Sequence, residues 1–291
     1  MKKIVCLLLF SASFYCTQAQ NEGRFGIFAG INNTSLKNAD DIALGDMIPT
    51  YKPTIGVSAG YHFTVGKILP LGFTASLAYN QLGQNYRGYY SDTTDYWAFS
   101  RLNYYRMGLG FHIGTNPRRL VSLTWTNGIT FGILKNYQER IEYYRPNRER
   151  AVFDVKNTTA TNYDTAYVKG TMSAPLYVKN DKTYFTSLDL DFMVHKKLVL
   201  GVSFRYDMGL SRVENTPDTI INIYYATEPT TTNVKYRPYN KFKYRTSEVG
   251  VNEERGMTTN NFKGIYISLK YRIFNEEKHR MYYKEHRHDW F

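Results

Sequence analysis

Residues 198–211 read Leu-Val-Leu-Gly-Val-Ser-Phe-Arg-Tyr-Asp-Met-Gly-Leu-Ser, with an apolar or aromatic side chain at every second position. The positions between them carry small or charged side chains, among them Arg205 and Asp207. Successive side chains of a β-strand point to opposite faces, so this period of two predicts a strand with one apolar and one polar face. The stretch is also long enough to cross a bilayer as a tilted strand.

The same alternation recurs along the chain and predicts eight strands in all. The predicted strands cover residues 24–34, 53–64, 71–82, 102–113, 120–134, 184–194, 198–211 and 262–274. Strands of this kind, without disulfides or long helices between them, predict an all-β protein.

The connections between the predicted strands alternate in length. Links at 65–70, 114–119 and 195–197 are short, whereas those after the first, third, fifth and seventh strands are long, the last two covering 135–183 and 213–261. Short turns on one side and long loops on the other are typical of an antiparallel up-and-down transmembrane β-barrel. A soluble, lipocalin-like barrel is the alternative, because it too has strands with one apolar face.

The number of strands has an alternative as well. Segments 141–145, 151–155, 175–179 and 220–226 have a composition typical of β-strands and lie within the long loops. They predict either hairpins that extend the barrel outward or a barrel of ten strands.

The first 19 residues have the features of a cleaved signal peptide. Lys2 and Lys3 precede a short apolar run, and small residues follow it, ending at Ala19. The apolar run is shorter than the roughly 20 residues that a transmembrane helix needs. Cys16 leaves a lipoprotein as an alternative. Cys6 and Cys16 are the only cysteines, so the exported chain is expected to lack thiol chemistry and disulfides.

The composition fits an exported membrane barrel. Aromatic residues make up 16% of the chain, including 27 Tyr, and the mean hydropathy is −0.47. Amphipathic rings are typical of the two membrane interfaces of such barrels. The net charge of +12 favours acidic lipid surfaces, such as lipopolysaccharide phosphates, over nucleic acid, which an exported protein would rarely meet.

The predicted inward face carries a network of charged side chains. We expect Asp189 to lie nearly opposite Arg205 across the 195–197 turn and to form a cross-strand ion pair with it. Because an unpaired charge in a narrow lumen is unfavourable, the network predicts a filled interior, with a solute-conducting path as the alternative. Its members are Arg106, Asp189, Asp191, Arg205, Asp207, Lys270 and Arg272.

The sequence predicts no enzyme, cofactor or metal site. His62 and His112 are expected to face inward near the periplasmic end, on strands that are not neighbours, and no histidine forms a hydrolase-like group with an acid and a serine.

The basic, Tyr-bearing loop 135–183 and the charged, aromatic tail 275–291 are candidate surfaces for protein partners. Three Asp-Thr sites in the loops resemble O-glycosylation acceptors, at Thr93, Thr165 and Thr219.

Three stretches resemble the PorT-like family of outer-membrane β-barrel proteins. They are Arg-Phe-Gly-Ile-Phe-Ala-Gly-Ile-Asn at 24–32, Gly-Val-Ser-Ala-Gly-Tyr at 56–61 and the closing strand at 265–274. The strand pattern predicts a barrel domain from 20 to 274, and the resemblance supports this fold. It implies a role that in this family ranges from assistance to a secretion machine to uncharacterised. The two longest loops and the tail depart from the simplest family pattern.

These observations lead to one functional prediction and one alternative. We expect a non-enzymatic barrel of the outer membrane that acts as a scaffold or interaction protein through its extracellular loops. A small-solute channel or transporter is the alternative from a different class. A barrel enzyme acting on lipid comes third.

Overall fold

The structure is a computed structural model. It describes residues 22–37, 46–65, 69–91, 94–117, 119–144, 150–156, 162–164, 168–172, 177–214, 220–225, 228–235 and 257–274. The predicted signal peptide, the predicted tail, and Thr93, Thr165 and Thr219 lie outside these residues. In the described part of the chain, no helix has the length and apolarity needed to cross a membrane.

The described residues form fifteen strands. In chain order they are β1 Glu22–Lys37, β2 Asp46–Ile48, β3 Thr50–Val65, β4 Leu69–Leu82, β5 Asn85–Ser91, β6 Thr94–Gly114, β7 Val121–Tyr144, β8 Arg150–Lys156, β9 Asn162–Asp164, β10 Val168–Met172, β11 Asn180–His195, β12 Leu198–Gly209, β13 Ile220–Tyr225, β14 Glu228–Lys235 and β15 Thr259–Phe274.

Eight of these strands close into an antiparallel barrel. Neighbouring strands follow the order β6-β4-β3-β1-β15-β12-β11-β7, and β7 pairs back onto β6 to close the sheet. Strands β1 and β15 pair over their whole lengths, from Glu22 opposite Phe274 to Lys37 opposite Thr259. The prediction of an eight-stranded, up-and-down barrel is therefore confirmed, and the ten-stranded alternative is wrong.

The additional strands extend the barrel at the end that carries the long connections. Strands β6 and β7 continue past the barrel, where β5 pairs with β6, β2 pairs with β5, and β8 pairs with β7. The hairpin predicted from segments 141–145 and 151–155 corresponds to the pairing of β7 with β8. A separate four-stranded sheet has the order β14-β13-β10-β9, and its central pair joins the third long loop to the fourth.

The two faces of the barrel are opposite in polarity to those of a soluble protein. Outward side chains are apolar and exposed, as at Ile27 with 59% and Ile267 with 60% of its surface accessible. Inward side chains are polar and buried, and Arg272 is only 1% exposed. A soluble barrel would bury its apolar face. The arrangement instead matches a barrel whose outer face meets hydrocarbon.

An aromatic and basic rim marks the outer end of this apolar surface. The Lys135 ammonium lies 5.3 Å from the ring centre of Tyr105 and 6.0 Å from that of Tyr79. The two tyrosines lie opposite each other on β4 and β6, with ring centres 5.8 Å apart. Cation–π contacts of this kind suit the interface between hydrocarbon and water, where a ring can be half immersed.

Gly83 joins β4 to β5 in a conformation that other residues rarely adopt. Its φ is 130°, and its carbonyl accepts a hydrogen bond from the Thr34 hydroxyl at 2.6 Å. The next residue, Gln84, accepts one from the Ser100 amide at 2.8 Å. This irregularity lets β4 and β5 follow the same partner, β6, across the end of the barrel.

We predict that Gly83→Ala destabilises the barrel by about 1–3 kcal/mol, because a side chain at this φ is strained and its Cβ would overlap the Ser100 carbonyl. Gly23→Ala is the matched control, since a Cβ there meets Ile273 at an ordinary 3.8 Å. Urea unfolding of the barrel in lipid vesicles, followed by tryptophan fluorescence, measures both. Equal midpoints for the two variants would contradict the prediction.

Candidate functional site

The lumen holds a lower cluster of five charged side chains at the end of the short turns. We define it as Glu22, Arg24, Asp191, Lys270 and Arg272. Glu22 accepts hydrogen bonds from Arg24 at 2.7 Å and from Arg272 at 2.5 and 2.8 Å. Asp191 accepts from Arg24 at 2.5 Å and from Lys270 at 2.7 Å. Each carboxylate is thus shared between two cations, which compensates buried charge.

The lower cluster also binds the backbone of two short turns. Arg24 donates to the Pro117 carbonyl at 2.9 Å, and Arg272 donates to the Lys196 carbonyl at 3.2 Å. Gly201 lies opposite Asp191, and a Cβ there would come within 2.5 Å of the Asp191 carboxylate. The cluster therefore ties strands and turns together across the mouth of the lumen.

A second, upper cluster lies farther along the lumen. We define it as Arg106, Asp181, Thr183, Arg205 and Asp207. Arg205 donates two hydrogen bonds to Asp207, at 2.6 and 2.9 Å. Thr183 accepts from Arg106 at 2.6 Å and donates to Asp207 at 3.1 Å, and Arg106 approaches Asp181 at 3.4 Å. A two-pronged arginine–carboxylate pair fixes geometry as well as charge.

Aromatic rings complete the upper cluster. The Arg205 guanidinium lies 3.9 Å from the ring centre of Phe185, and that of Arg106 lies 4.9 Å from Phe262. Tyr266 packs edge-on against Phe28 at 6.0 Å and hydrogen-bonds to Asn32. The cations therefore gain ring contacts in place of water.

The prediction of an ion pair between Asp189 and Arg205 is wrong. Asp189 lies opposite Ser203, whereas Arg205 lies opposite Ser187 and pairs with Asp207 on its own strand. Asp189 accepts hydrogen bonds from hydroxyls instead: from Ser203, from Ser187 at 3.1 Å and from Thr126 at 3.2 Å. Hydroxyl donors thus stabilise this carboxylate where the expected arginine is absent.

A polar cavity of about 130 Å³ separates the two clusters. Arg24, Asp191 and Lys270 line it from below, Arg205 and Tyr266 from above, and serine and threonine hydroxyls from the sides. This volume holds several water molecules. Above it, a smaller cavity of about 10 Å³ lies between Phe28, Arg106, Arg205 and Tyr266, so these side chains fill much of the lumen at this level.

The lumen is closed again at its outer end by buried apolar side chains. Tyr137 and Tyr177 meet edge-on, with ring centres 4.8 Å apart, and both are buried. The other buried members of this apolar cluster are Leu36, Leu82, Leu102, Tyr104 and Val213. Buried polar side chains, among them Gln84 and Ser100, lie at the same level, so both apolar and polar groups fill the outer end.

His62 and His112 meet inside the lumen although their strands are not neighbours. His112 Nε2 lies 3.0 Å from His62 Nδ1, and Gly72 on the intervening β4 lies opposite both residues. A Cβ at Gly72 would overlap the His112 ring, so glycine permits the contact. Among the described residues, no three His, Cys, Asp or Glu side chains form a group that could hold a metal ion.

All seven charged residues that the sequence places in the lumen lie inside the barrel in the structure. Six of them belong to the two clusters, and the seventh is Asp189. Sequence reasoning missed three further charged members: Glu22, Arg24 and Asp181. Glu22 and Asp181 lie just outside the predicted strand boundaries. All three lie at inward-facing positions in the alternating pattern of their strands, as Arg24 does two residues before Gly26. This pattern was sufficient to identify them from the sequence.

Comparisons with known proteins identify the family, and several solved structures are distant relatives. The family model described as outer membrane protein beta-barrel domain matches residues 4–286. None of the curated proteins matches the chain. Among solved structures, Ail of Yersinia pestis is 11% identical, with 86% of this chain and 99% of that chain covered at a TM-score of 0.32.

Two further solved structures are comparably distant. OprG of Pseudomonas aeruginosa is 11% identical, with 88% of this chain and 97% of that chain covered at a TM-score of 0.35. A major outer membrane protein of Thermus thermophilus is 11% identical, with 86% of this chain and 99% of that chain covered at a TM-score of 0.39. Likenesses at this level carry no argument about activity.

We predict that Glu22→Gln destabilises the barrel by about 3–5 kcal/mol, because it removes the carboxylate that the buried Arg24 and Arg272 share. Lys182→Gln, at an exposed position of β11, is the control for losing one charge. The measurement is urea unfolding in vesicles of fixed composition. Equal stability of the two variants would show that the lower cluster does not stabilise the fold.

Proposed function

The chain belongs to the family of outer membrane protein β-barrel domains, and from this premise we propose that it is a non-enzymatic scaffold or interaction protein of the outer membrane. Its working surfaces are then the strands and loops outside the membrane, at the end with long connections. The signal peptide predicted at residues 1–19 accounts for export in this proposal.

The observation that carries the proposal is the closure of the lumen at three levels. Charged residues hold the inner mouth, the upper cluster and its rings fill the middle, and apolar side chains pack across the outer end. A small barrel filled in this way is a rigid support.

The outer extension supplies the candidate contact surface. Strands β6 and β7 project beyond the barrel with β2, β5 and β8 paired beside them, and β10 pairs with β13 to join two loops. Proteins commonly place binding residues on loops held by a rigid scaffold. We infer two classes of partner for this surface: lipopolysaccharide phosphates, from the basic character of loop 135–183, and proteins of a secretion or surface assembly, as the PorT-like resemblance implies.

A small-solute channel is the second candidate, and the polar cavity between the two clusters favours it. Conduction requires that both clusters and the outer apolar cluster open together. The two candidates therefore differ in a measurable property, the steady conductance of the folded barrel.

We predict that the purified, folded protein shows no steady open state in planar lipid bilayers, because its lumen is closed at three levels. Heat-dependent mobility of the same preparation on gels verifies that the barrel is folded before insertion. A reproducible open state of the wild-type protein would favour the channel and contradict the plugged scaffold.

We also predict that the lipid A of cells with and without the protein gives the same mass spectrum, because the proposed role is that of a scaffold and not of an enzyme. A mass change that depends on the protein would establish an enzyme acting on lipid.

A further inference from the structure

A polar side chain lies at the middle of the outward face of β7. Between Val121 and Ile133, the outward positions are Val121, Leu123, Trp125, Asn127, Ile129, Phe131 and Ile133. The other six are exposed apolar or aromatic side chains, so Asn127 stands at the centre of the belt that faces hydrocarbon. Polar groups at this depth are the least favourable ones on the lipid face of a barrel.

Asn127 belongs to a polar patch shared by β7 and β11, which we define as Trp125, Asn127, Tyr184 and Thr186. Asn127 lies opposite Thr186. The Tyr184 hydroxyl donates to the Asn127 side-chain oxygen at 2.6 Å, and the Trp125 indole donates to Thr186 at 2.9 Å. Trp125 is 53% exposed and Tyr184 is 38% exposed, so the patch is part of the outer surface.

The hydrogen bonds within the patch leave one half of the Asn127 amide unpaired. Its nitrogen has no acceptor in the part of the chain that the structure describes. If the amide oxygen and nitrogen of Asn127 are exchanged, the nitrogen bonds to the Tyr184 hydroxyl and the oxygen has no donor. One half of the amide is therefore unpaired in either orientation. In hydrocarbon an unpaired amide is costly, since no water is present to bond it. Lipid is therefore a poor cover for this face.

The surface beside the patch is apolar. Trp125, Leu188, Phe204 and Ile265 are register partners in turn on β7, β11, β12 and β15, and all four are exposed. A polar patch beside an apolar surface offers both hydrogen bonds and packing contacts to a protein partner.

We propose that this face is the interface between two copies of the chain, with Asn127 of one copy bonded to the same residue of the other. An amide carries both a donor and an acceptor, so two copies of one asparagine satisfy each other across a two-fold axis. Barrels of one sequence insert in the same direction. A two-fold axis along the membrane normal therefore places both Asn127 side chains at the same depth. A partner of different sequence would not necessarily have a polar side chain at that depth.

Cysteine cross-linking in the outer membrane tests the proposal directly. Asn127→Cys, oxidised in intact membranes, is expected to give a covalent dimer of the full chain. Ile27→Cys is the matched control, because it lies in the apolar belt on β1, four strands away on the far side of the barrel. The wild-type protein measures any background from Cys6 and Cys16.

The oligomeric state in detergent and in vesicles gives a second readout. We expect the wild-type protein to dimerise reversibly and Asn127→Leu to raise the dimer dissociation constant about tenfold, as for a polar pair between membrane segments. Ile129→Leu is expected to leave this constant unchanged. A wild-type monomer at all concentrations, equal cross-linking of Cys variants at 127 and 27, or trapping of a different protein by Asn127→Cys would each overturn the proposal.

Discussion

Hydrocarbon offers no hydrogen-bond partner, so every peptide group that crosses the membrane must bond within the protein. The pairing of β6 with β7 meets this constraint by closing the sheet, which leaves no strand edge within the membrane. Closure around eight strands then fixes a narrow interior. The polar alternation and the shared carboxylates of the lower cluster both follow from this narrowness.

Glycine reconciles the narrow interior with its large side chains. Lys270 lies opposite Gly26, and Tyr266 lies opposite Gly30, each passing over a strand that has no Cβ in the way. The contact of His62 with His112 across Gly72 follows the same rule. The small inward residues of the alternating pattern thus leave the space that the charged and aromatic side chains occupy.

Much of the fold could be predicted from the sequence, because a strand between lipid and a polar lumen must alternate. The alternation identified the eight barrel strands, but it underestimated β6 and β7. Beyond the membrane these strands pair with β5 and β8, and water on both sides removes the requirement for an apolar face. The register around Asp189 was not predictable by spacing alone, since a bulge between Met193 and His195 shifts the pairing. Asn127 was not identified from the sequence, because a single polar residue scarcely changes an apolar pattern.

The seam between β1 and β15 has a consequence for how the protein is made. The first and last strands of the barrel are hydrogen-bonded neighbours over sixteen residues each. No closed sheet can exist until the last strand has been synthesised. Contacts between such distant parts of a chain form slowly. During that interval the apolar faces of the seven earlier strands do not yet belong to a closed barrel, so the unfinished chain is most prone to aggregation at this stage.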